Sequence, residues 1–222
     1  MKRFLAVLLL CGAASSQVAT KANETYKTPQ GRASIAAGLD NPDRDARQKP
    51  KELVKAMDIQ PGMTVVDLGT GVGYMLPFLS AAVGPDGKVI GEDIQADFLN
   101  KAQAKAKKDN LMNVEFIVGT DKYPKLPENS ADRILVLEVY HHFDYPAQML
   151  AHIAAALKPR GRLVVVDYYK RRGAMGDGDR ALQHIRLDEG GVIQEVEANG
   201  FQLISQHEHI PKSQYMAIFG KK

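Results

Sequence analysis

The chain has 222 residues, of which 45% are hydrophobic and 25% are charged, so its length and composition are those of one globular domain with a sizeable core. Ordinary amounts of glycine and proline exclude a fibrous or low-complexity chain. The formal net charge is +3, and two of these charges belong to Lys2 and Arg3. The rest of the chain is nearly neutral, which argues against nucleic acid as a partner.

Residues 1–16 have the three-part layout of a secretory signal peptide: basic residues, an apolar run at 4–10 and small residues at 12–16. We expect a periplasmic or secreted mature chain; the alternative is an apolar N-terminus on a cytoplasmic protein. The apolar run is shorter than the roughly 20 residues of a membrane-spanning helix, so no stable membrane span is expected. Cleavage also removes Cys11, the only cysteine, which excludes disulfides, a cysteine nucleophile and thiolate metal sites.

Strands and helices alternate after a polar leader at residues 17–48, in which no apolar periodicity is sustained. The pattern predicts helices at 52–57, 74–82, 96–108, 146–157 and 189–199, and strands at 63–68, 88–91, 114–118, 133–137 and 162–167. Two further strands, at 201–207 and 215–219, are expected to form an edge hairpin. Residues 49–222 therefore form one α/β domain. It is a doubly wound, Rossmann-like seven-stranded sheet, mostly parallel with an antiparallel C-terminal edge hairpin and helices on both faces.

One irregular segment follows the fifth strand, at residues 170–188, and is a candidate lid over the crevice at the carboxyl ends of the strands. Its basic residues suit either an anionic acceptor or a solvated surface; they are Arg171, Arg172, Arg180, His184 and Arg186.

The most informative motif is VVDLGTGVGY at residues 65–74, a buried strand that ends in an acid and continues through three glycines into a helix. Glycines at 69, 71 and 73 let the backbone turn sharply and approach a ligand closely. The GxGxG spacing differs from the GxGxxG of dinucleotide sites, and no Lys-Ser or Lys-Thr follows as in phosphate loops. A pyrophosphate ligand is therefore disfavoured, and so is a nicotinamide-dependent oxidoreductase.

This motif resembles the first motif of class I S-adenosylmethionine-dependent methyltransferases, and the resemblance, to the small-molecule type, runs from about Arg44 to the C-terminus. It implies S-adenosyl-L-methionine as the cofactor. Asp67 would then orient the methionyl part, which packs against the glycine turn formed by Gly69, Thr70, Gly71 and Gly73. Residues 44–50 resemble an opening helix that caps the cofactor from the N-terminal side.

The second strand ends in two neighbouring carboxylates that compete for the ribose hydroxyls. Alignment on Gly91 and Ile94 assigns this role to Asp93, with Ile94 against the adenine and Glu92 as a flanking residue. Thr120 and Asp121 match the place where the family holds the adenine edge. Residues 134–143 resemble the fourth motif, which lines cofactor and substrate and contains Glu138, His141 and His142.

The chemistry that the resemblance implies is a direct in-line displacement of the methyl group onto a small-molecule acceptor. His141 or His142 would serve as a general base if the acceptor is protonated. We expect no metal, because the pair His207 and His209 lies far from the motifs. Arsenite methylation is not expected, since such chemistry relies on cysteines. The chain is expected to be a monomer or homodimer.

Export raises a conflict, because the cofactor is made in the cytoplasm. The leading hypothesis is an exported S-adenosylmethionine-dependent methyltransferase of small molecules. The alternative is an exported non-catalytic module that binds S-adenosylmethionine or a nucleoside on a repurposed methyltransferase fold.

Overall fold

The computed structural model describes residues 17–222, so the predicted signal peptide and Cys11 lie outside the described residues. Within this range, seven strands form one sheet in the order β3-β2-β1-β4-β5-β7-β6. The strands are β1 (Thr64–Leu68), β2 (Lys88–Asp93), β3 (Val114–Val118), β4 (Ala131–Leu137), β5 (Leu157–Tyr168), β6 (Phe201–Ile210) and β7 (Gln214–Lys221).

The first five strands are parallel, and β7 runs antiparallel to both β5 and β6. The predicted doubly wound sheet with an antiparallel C-terminal pair is therefore confirmed. Strand β5 is longer than the sequence predicts, because Leu157 already pairs with Ala131 before a register shift in the ladder between β4 and β5.

Helices cover both faces of the sheet. They are α1 (Pro29–Leu39), α2 (Arg44–Gln48), α3 (Pro50–Ala56), α4 (Leu76–Val83), α5 (Ala96–Lys108), α6 (Pro146–Ala156), α7 (Arg180–His184) and α8 (Glu189–Ala198). One core cluster joins β4 and β5 to α6 and α8, and the other joins β1 and β5 to α3 and α4. Both faces of β4 and β5 are thus buried, which explains their continuous apolar runs. No helix within residues 17–222 is long and apolar enough to cross a membrane.

The predicted irregular leader contains two helices and a 3-10 turn at Glu24–Lys27. Helix α1 begins at Pro29, and the Thr28 side chain caps it by accepting a hydrogen bond from the backbone N–H of Gly31. Only Ala36 of α1 is buried, in a small cluster with Val72 and Phe98. A helix that buries so little apolar surface leaves no periodic signal in the sequence.

Candidate functional site

A cavity of about 360 Å³ opens at the carboxyl ends of β1, β2 and β4, the edge where the sequence predicts a ligand. The glycine turn after β1 forms its floor, and β2 forms one wall with its two terminal acids. Residues 139–149 form another wall, while residues of the leader, including Asn23, Tyr26, Leu39 and Arg44, close the N-terminal side.

The glycine turn has the close backbone approach that the motif predicts. Gly69 has a φ of 76°, and a side chain there would lie 2.6 Å from Val139 Cγ2. The N–H groups of Gly69 and Thr70 both donate to the Glu92 carbonyl oxygen at 2.8 Å. The N–H of Gly71 donates to Asp93 Oδ2 at 2.9 Å, which fixes the turn against the end of β2.

Three buried carboxyl groups meet at this turn. Burial raises the pKa of Asp67 to about 6, although Thr70 Oγ1 donates a hydrogen bond to it at 2.6 Å. Burial also raises the pKa of Asp93 to about 6, against the opposing effect of N–H bonds from Gln95 and Gly71. The pKa of Glu92 lies well above its usual range, again because the side chain is buried.

Glu92, which the sequence predicts as a flanking residue, borders the cavity. Glu92 is only 1% exposed, and within residues 17–222 its Oε1 atom is buried without a hydrogen-bond partner. A side chain at position 119 would collide with this oxygen, so Gly119 leaves the space that Glu92 occupies.

All but one of the remaining predicted cofactor residues line the cavity. Thr120, Asp121 and Glu138 line the cavity, as does Ile94, whose side chain is about half exposed. Gly73 lies outside the wall: a side chain there would meet Leu76 and Ala102, so this glycine permits helix packing.

Glu138 is held by this chain's own side chains. Its backbone has a φ of 57°, an uncommon conformation for a residue other than glycine. The carboxylate accepts hydrogen bonds from Tyr168 Oη at 2.5 Å, from Gln214 Nε2 at 2.6 Å and from Arg44 Nη2 at 3.3 Å. The Arg44 guanidinium also lies over the Tyr74 ring, 4.1 Å from its centre. This network fixes the residues beside the glycine turn.

The two predicted histidines have different positions. His142 lines the cavity, whereas His141 lies behind it with 4% of its surface exposed. His141 Nδ1 lies 2.7 Å from Asp167 Oδ1, and His142 Nδ1 lies 2.8 Å from Asn23 Oδ1. Burial lowers the pKa of His142 well below its usual value, so its imidazole is neutral at pH 7.

Three further residues near these histidines are missing from the predicted site, and two of them, Asn23 and His184, carry no local sequence signal. Asn23 binds His142 from the leader, 119 positions away, and Asp167 ends the fifth strand beside His141. His184, from the segment at 170–188, lies with its ring 5.0 Å from that of His141. For Asp167, the signal available in the sequence was an acid at the carboxyl end of a central strand, the same signal that identified Asp67.

The segment at 170–188 does not line the cavity. Three of its arginines are paired within the chain: Arg171 with Glu208, Arg172 with Asp179, and Arg186 with Glu195. The idea that these arginines attract an anionic acceptor is not supported by these contacts. The sequence does not predict a second histidine grouping: one ring nitrogen from each of His141, His142 and His184 lies within 4.8 Å of the other two.

A family model described as a methyltransferase domain matches residues 59–213, which is more than half of the chain. The crystal structure of a SAM-dependent methyltransferase from Aquifex aeolicus superposes with a TM-score of 0.78 and 29% identity, over 85% of this chain and 98% of that chain.

Two curated relatives match a shorter part of the chain. A demethylmenaquinone methyltransferase from Listeria welshimeri is 31% identical over 117 residues, which are 53% of this chain and 50% of the relative. An arsenite methyltransferase from Halobacterium salinarum is 31% identical over 107 residues, which are 48% of this chain and 27% of the relative. The chain thus matches half or less of the length of these two relatives.

Proposed function

The chain belongs to the class I methyltransferase family, and from this premise we propose that it transfers the methyl group of S-adenosylmethionine to a small-molecule acceptor. The observation that carries the proposal is the meeting of Asp67, Asp93 and the glycine turn in one cavity at the carboxyl ends of the strands. The size of this cavity suits a small ligand.

The residues at the cavity fit such a cofactor. Its sulfur is positively charged and its ribose carries two hydroxyl groups, and both favour an acidic wall. Asp93 uses one oxygen for Gly71 and the other for Gln95, so each oxygen retains a lone pair for a hydroxyl donor. We propose that Asp67 and the turn at Gly69–Gly71 hold the methionyl part, and that Ile94, Thr120 and Asp121 hold the adenine.

When bound, the cofactor supplies a methyl group already activated by its positively charged sulfur. The chain then has to align the acceptor atom and exclude water. The leader contributes to exclusion, since Tyr26 packs edge-on against both His142 and Phe98 at the cavity wall.

We propose that His142 accepts the acceptor's proton where the acceptor is an alcohol, phenol or amine. Its Nδ1 faces the Asn23 oxygen and therefore carries the ring proton, which leaves Nε2 with a free lone pair. His141, which does not line the cavity, is proposed as the residue that positions His142. The two rings lie 4.1 Å apart.

The relatives suggest organic acceptors more than arsenite. Demethylmenaquinone methylation in the Listeria relative and the apolar wall that includes Phe143 and Met149 are both consistent with an apolar organic acceptor. Arsenite chemistry relies on thiols, and Cys11 is the only cysteine in the sequence. Cleavage of residues 1–16, which we propose for a periplasmic or secreted chain, would remove it.

The first experiment is calorimetric titration of S-adenosylmethionine into residues 17–222, with Asp93→Ala as the test variant. Asp97→Asn is the matched control, because Asp97 is an exposed acid four residues along. Within residues 17–222, its side chain accepts a hydrogen bond from Arg32 alone, at the surface. We expect micromolar binding by the wild type and the control, and loss of most affinity in Asp93→Ala.

A screen of organic acceptors, with release of S-adenosylhomocysteine as the readout, separates the enzyme from the binding module. Turnover supports the methyltransferase. Binding without turnover on any acceptor favours the non-catalytic module, and absence of binding by a folded wild-type chain overturns both.

A further inference from the structure

Three histidine rings converge at the end of β4, next to the cavity. His141 and His142 belong to a 3-10 turn at Tyr140–His142, and His184 ends helix α7. One ring nitrogen from each of the three lies within 4.8 Å of the other two. His141 and His142 are neighbours in the sequence, whereas His184 lies more than 40 positions further on, so the fold brings it to the other two.

Each of the two neighbouring histidines has a protonated Nδ1. Asn23 Nδ2 donates to the His142 carbonyl oxygen at 3.0 Å and to Asp144 Oδ2 at 3.1 Å, which fixes the orientation of the amide. The Asn23 oxygen must then accept from His142 Nδ1, at 2.8 Å. The Nε2 atom of His142 is therefore the nitrogen that is free to bind a cation.

His141 is oriented in the same way by a carboxylate. Its Nδ1 lies 2.7 Å and 3.0 Å from the two oxygens of Asp167, and its backbone N–H also donates to Asp167 Oδ2 at 3.0 Å. Asp167 is almost completely buried. A buried carboxylate behind one imidazole nitrogen is the usual arrangement that orients a metal-binding histidine and increases its basicity.

The third histidine can complete the cluster. His184 is partly buried, and its ring centre lies 5.4 Å from that of His142. Nitrogens bound to a tetrahedral zinc ion stand about 3.3 Å apart, so binding requires the three nitrogens to approach by at most about 1.5 Å. His184 lies at the end of a five-residue helix, and we propose that its side chain moves to close the cluster when the ion binds.

We propose that His141, His142 and His184 bind one divalent transition-metal ion of the zinc class, with Asp167 and Asn23 as the outer residues that orient the ligands. Three imidazoles suit zinc and its neighbours in the first transition series, whereas magnesium and calcium prefer oxygen ligands. Three protein ligands leave a fourth position open. Because His142 lines the cavity, that position can take a water molecule or an oxygen atom of the acceptor.

This proposal does not rest on methyl transfer, since the metal can be measured without the cofactor. A bound metal and a proton would compete for the same Nε2 atom of His142. The metal site and the general-base role are therefore alternatives for that nitrogen.

The test is titration of Zn²⁺ into residues 17–222 after removal of metal with a chelator, followed by calorimetry and by competition with a chromophoric chelator. We expect one equivalent to bind, and His184→Gln to weaken binding by at least about 100-fold. Asp167→Asn is expected to weaken binding by about 10- to 100-fold, as for other residues that orient metal ligands. Mg²⁺ should not displace Zn²⁺. With Co²⁺ as the probe, the visible spectrum of a low-coordinate site should appear in the wild type and be lost in His184→Gln.

The matched control is His207→Gln, which removes an exposed histidine of β6 that does not belong to the cluster and should leave Zn²⁺ affinity unchanged. His184 does not line the cavity, so His184→Gln should bind S-adenosylmethionine as the wild type does. This result also reports that the variant is folded, and it separates failure of the metal site from failure of the proposed function. The proposal is overturned if the wild type binds no stoichiometric Zn²⁺, or if His184→Gln binds it equally well.

Discussion

Asn23 and His142 are joined by two hydrogen bonds that link the leader to the end of β4. The amide oxygen faces His142 Nδ1 at 2.8 Å, and the amide nitrogen donates to the His142 carbonyl oxygen at 3.0 Å. Asp144 strengthens the link, because its Oδ1 accepts from the backbone N–H of Ala19 at 3.1 Å. The first described residues of the chain are therefore a wall of the cavity and not a loose tail.

Asn23→Ala is expected to loosen this wall. It removes two bonds to His142 and one to Asp144, and each is worth about 0.5–1.5 kcal/mol. We expect the free energy of unfolding to fall by about 1.5–4.5 kcal/mol, and the affinity for S-adenosylmethionine to fall by about 5- to 30-fold. Urea denaturation and calorimetry measure the two effects.

Glu24→Gln is the control for this variant. It changes the neighbouring residue, whose exposed ion pair with Lys27 contributes little to stability. If Asn23→Ala binds the cofactor as tightly as Glu24→Gln does, the leader is not part of the binding site.

The sequence predicts the centre of the site well, because the residues there lie close in the chain to strands that the sequence also predicts. Asp67, the glycine turn and Asp93 each lie within a few residues of a strand whose apolar run is unmistakable, and parallel strands place their carboxyl ends on one edge. The contact between Asn23 and His142 and the convergence of His184 on His141 have no such signal. They join segments far apart in the chain, and nothing in the composition of either segment specifies its partner.

Gly73 illustrates a different limit. The motif assigns the same role to all three glycines. In the structure their roles differ, because a side chain added at each position would meet different neighbours. Gly69 faces Val139 at the cavity wall, whereas Gly73 faces Leu76 and Ala102 in the packed interior. Spacing alone predicts a turn, and only the packing around it tells which glycine approaches the ligand.

Stability and cofactor affinity are expected to respond to pH in opposite directions. Asp67 and Asp93 have pKa values of about 6 in the folded chain, against 3.8 in the unfolded chain. Between pH 4 and 6 the folded state binds more protons, so the free energy of unfolding falls as pH rises. The expected loss is on the order of 3 kcal/mol for each carboxyl group.

A cationic cofactor favours the ionised carboxylates, so its affinity should rise from pH 5 to pH 7 with release of protons. Calorimetry in buffers of different ionisation enthalpy counts these protons. Asp67→Asn should reduce both the proton release and the loss of stability, while the exposed Asp97→Asn should retain both. An affinity that does not change over this pH range would contradict the assignment of the acids to the cofactor.

Gly73→Ala is expected to reduce stability without weakening cofactor binding. Its new methyl group would lie 2.8 Å from Leu76 Cδ1 and 3.1 Å from Ala102 Cβ, at a φ of 83°. Gly62→Ala is the matched control, since Gly62 has a φ of 84° and no atom within 4 Å of the added carbon. The control isolates the cost of the backbone conformation, about 1 kcal/mol, and the crowding at position 73 should add about 1–3 kcal/mol. Chemical denaturation measures the difference, and equal stability of the two variants would contradict it.

Glu195 of α8 anchors the segment at 170–188 through an ion pair with Arg186. Removing the Glu195 carboxylate is expected to make this segment more mobile. Glu195 accepts from Arg186 Nη1 at 2.9 Å and from Tyr140 Oη at 2.8 Å, and the ion pair with Arg186 is largely shielded from solvent. Glu195→Ala should lower the free energy of unfolding by about 2–3 kcal/mol, because it leaves a partly buried guanidinium without its partner.

Limited trypsin digestion followed by mass spectrometry should detect faster cleavage of Glu195→Ala within residues 170–188. Asp179→Asn, which removes the exposed ion pair with Arg172 in the same segment, should be cleaved at the wild-type rate. Because no residue of this segment lines the cavity, affinity for S-adenosylmethionine should stay close to that of the wild type. Affinity for Zn²⁺ should fall, since His184 belongs to the released segment. Loss of cofactor binding together with faster cleavage would instead mean that the segment closes over the cavity when the ligand is present.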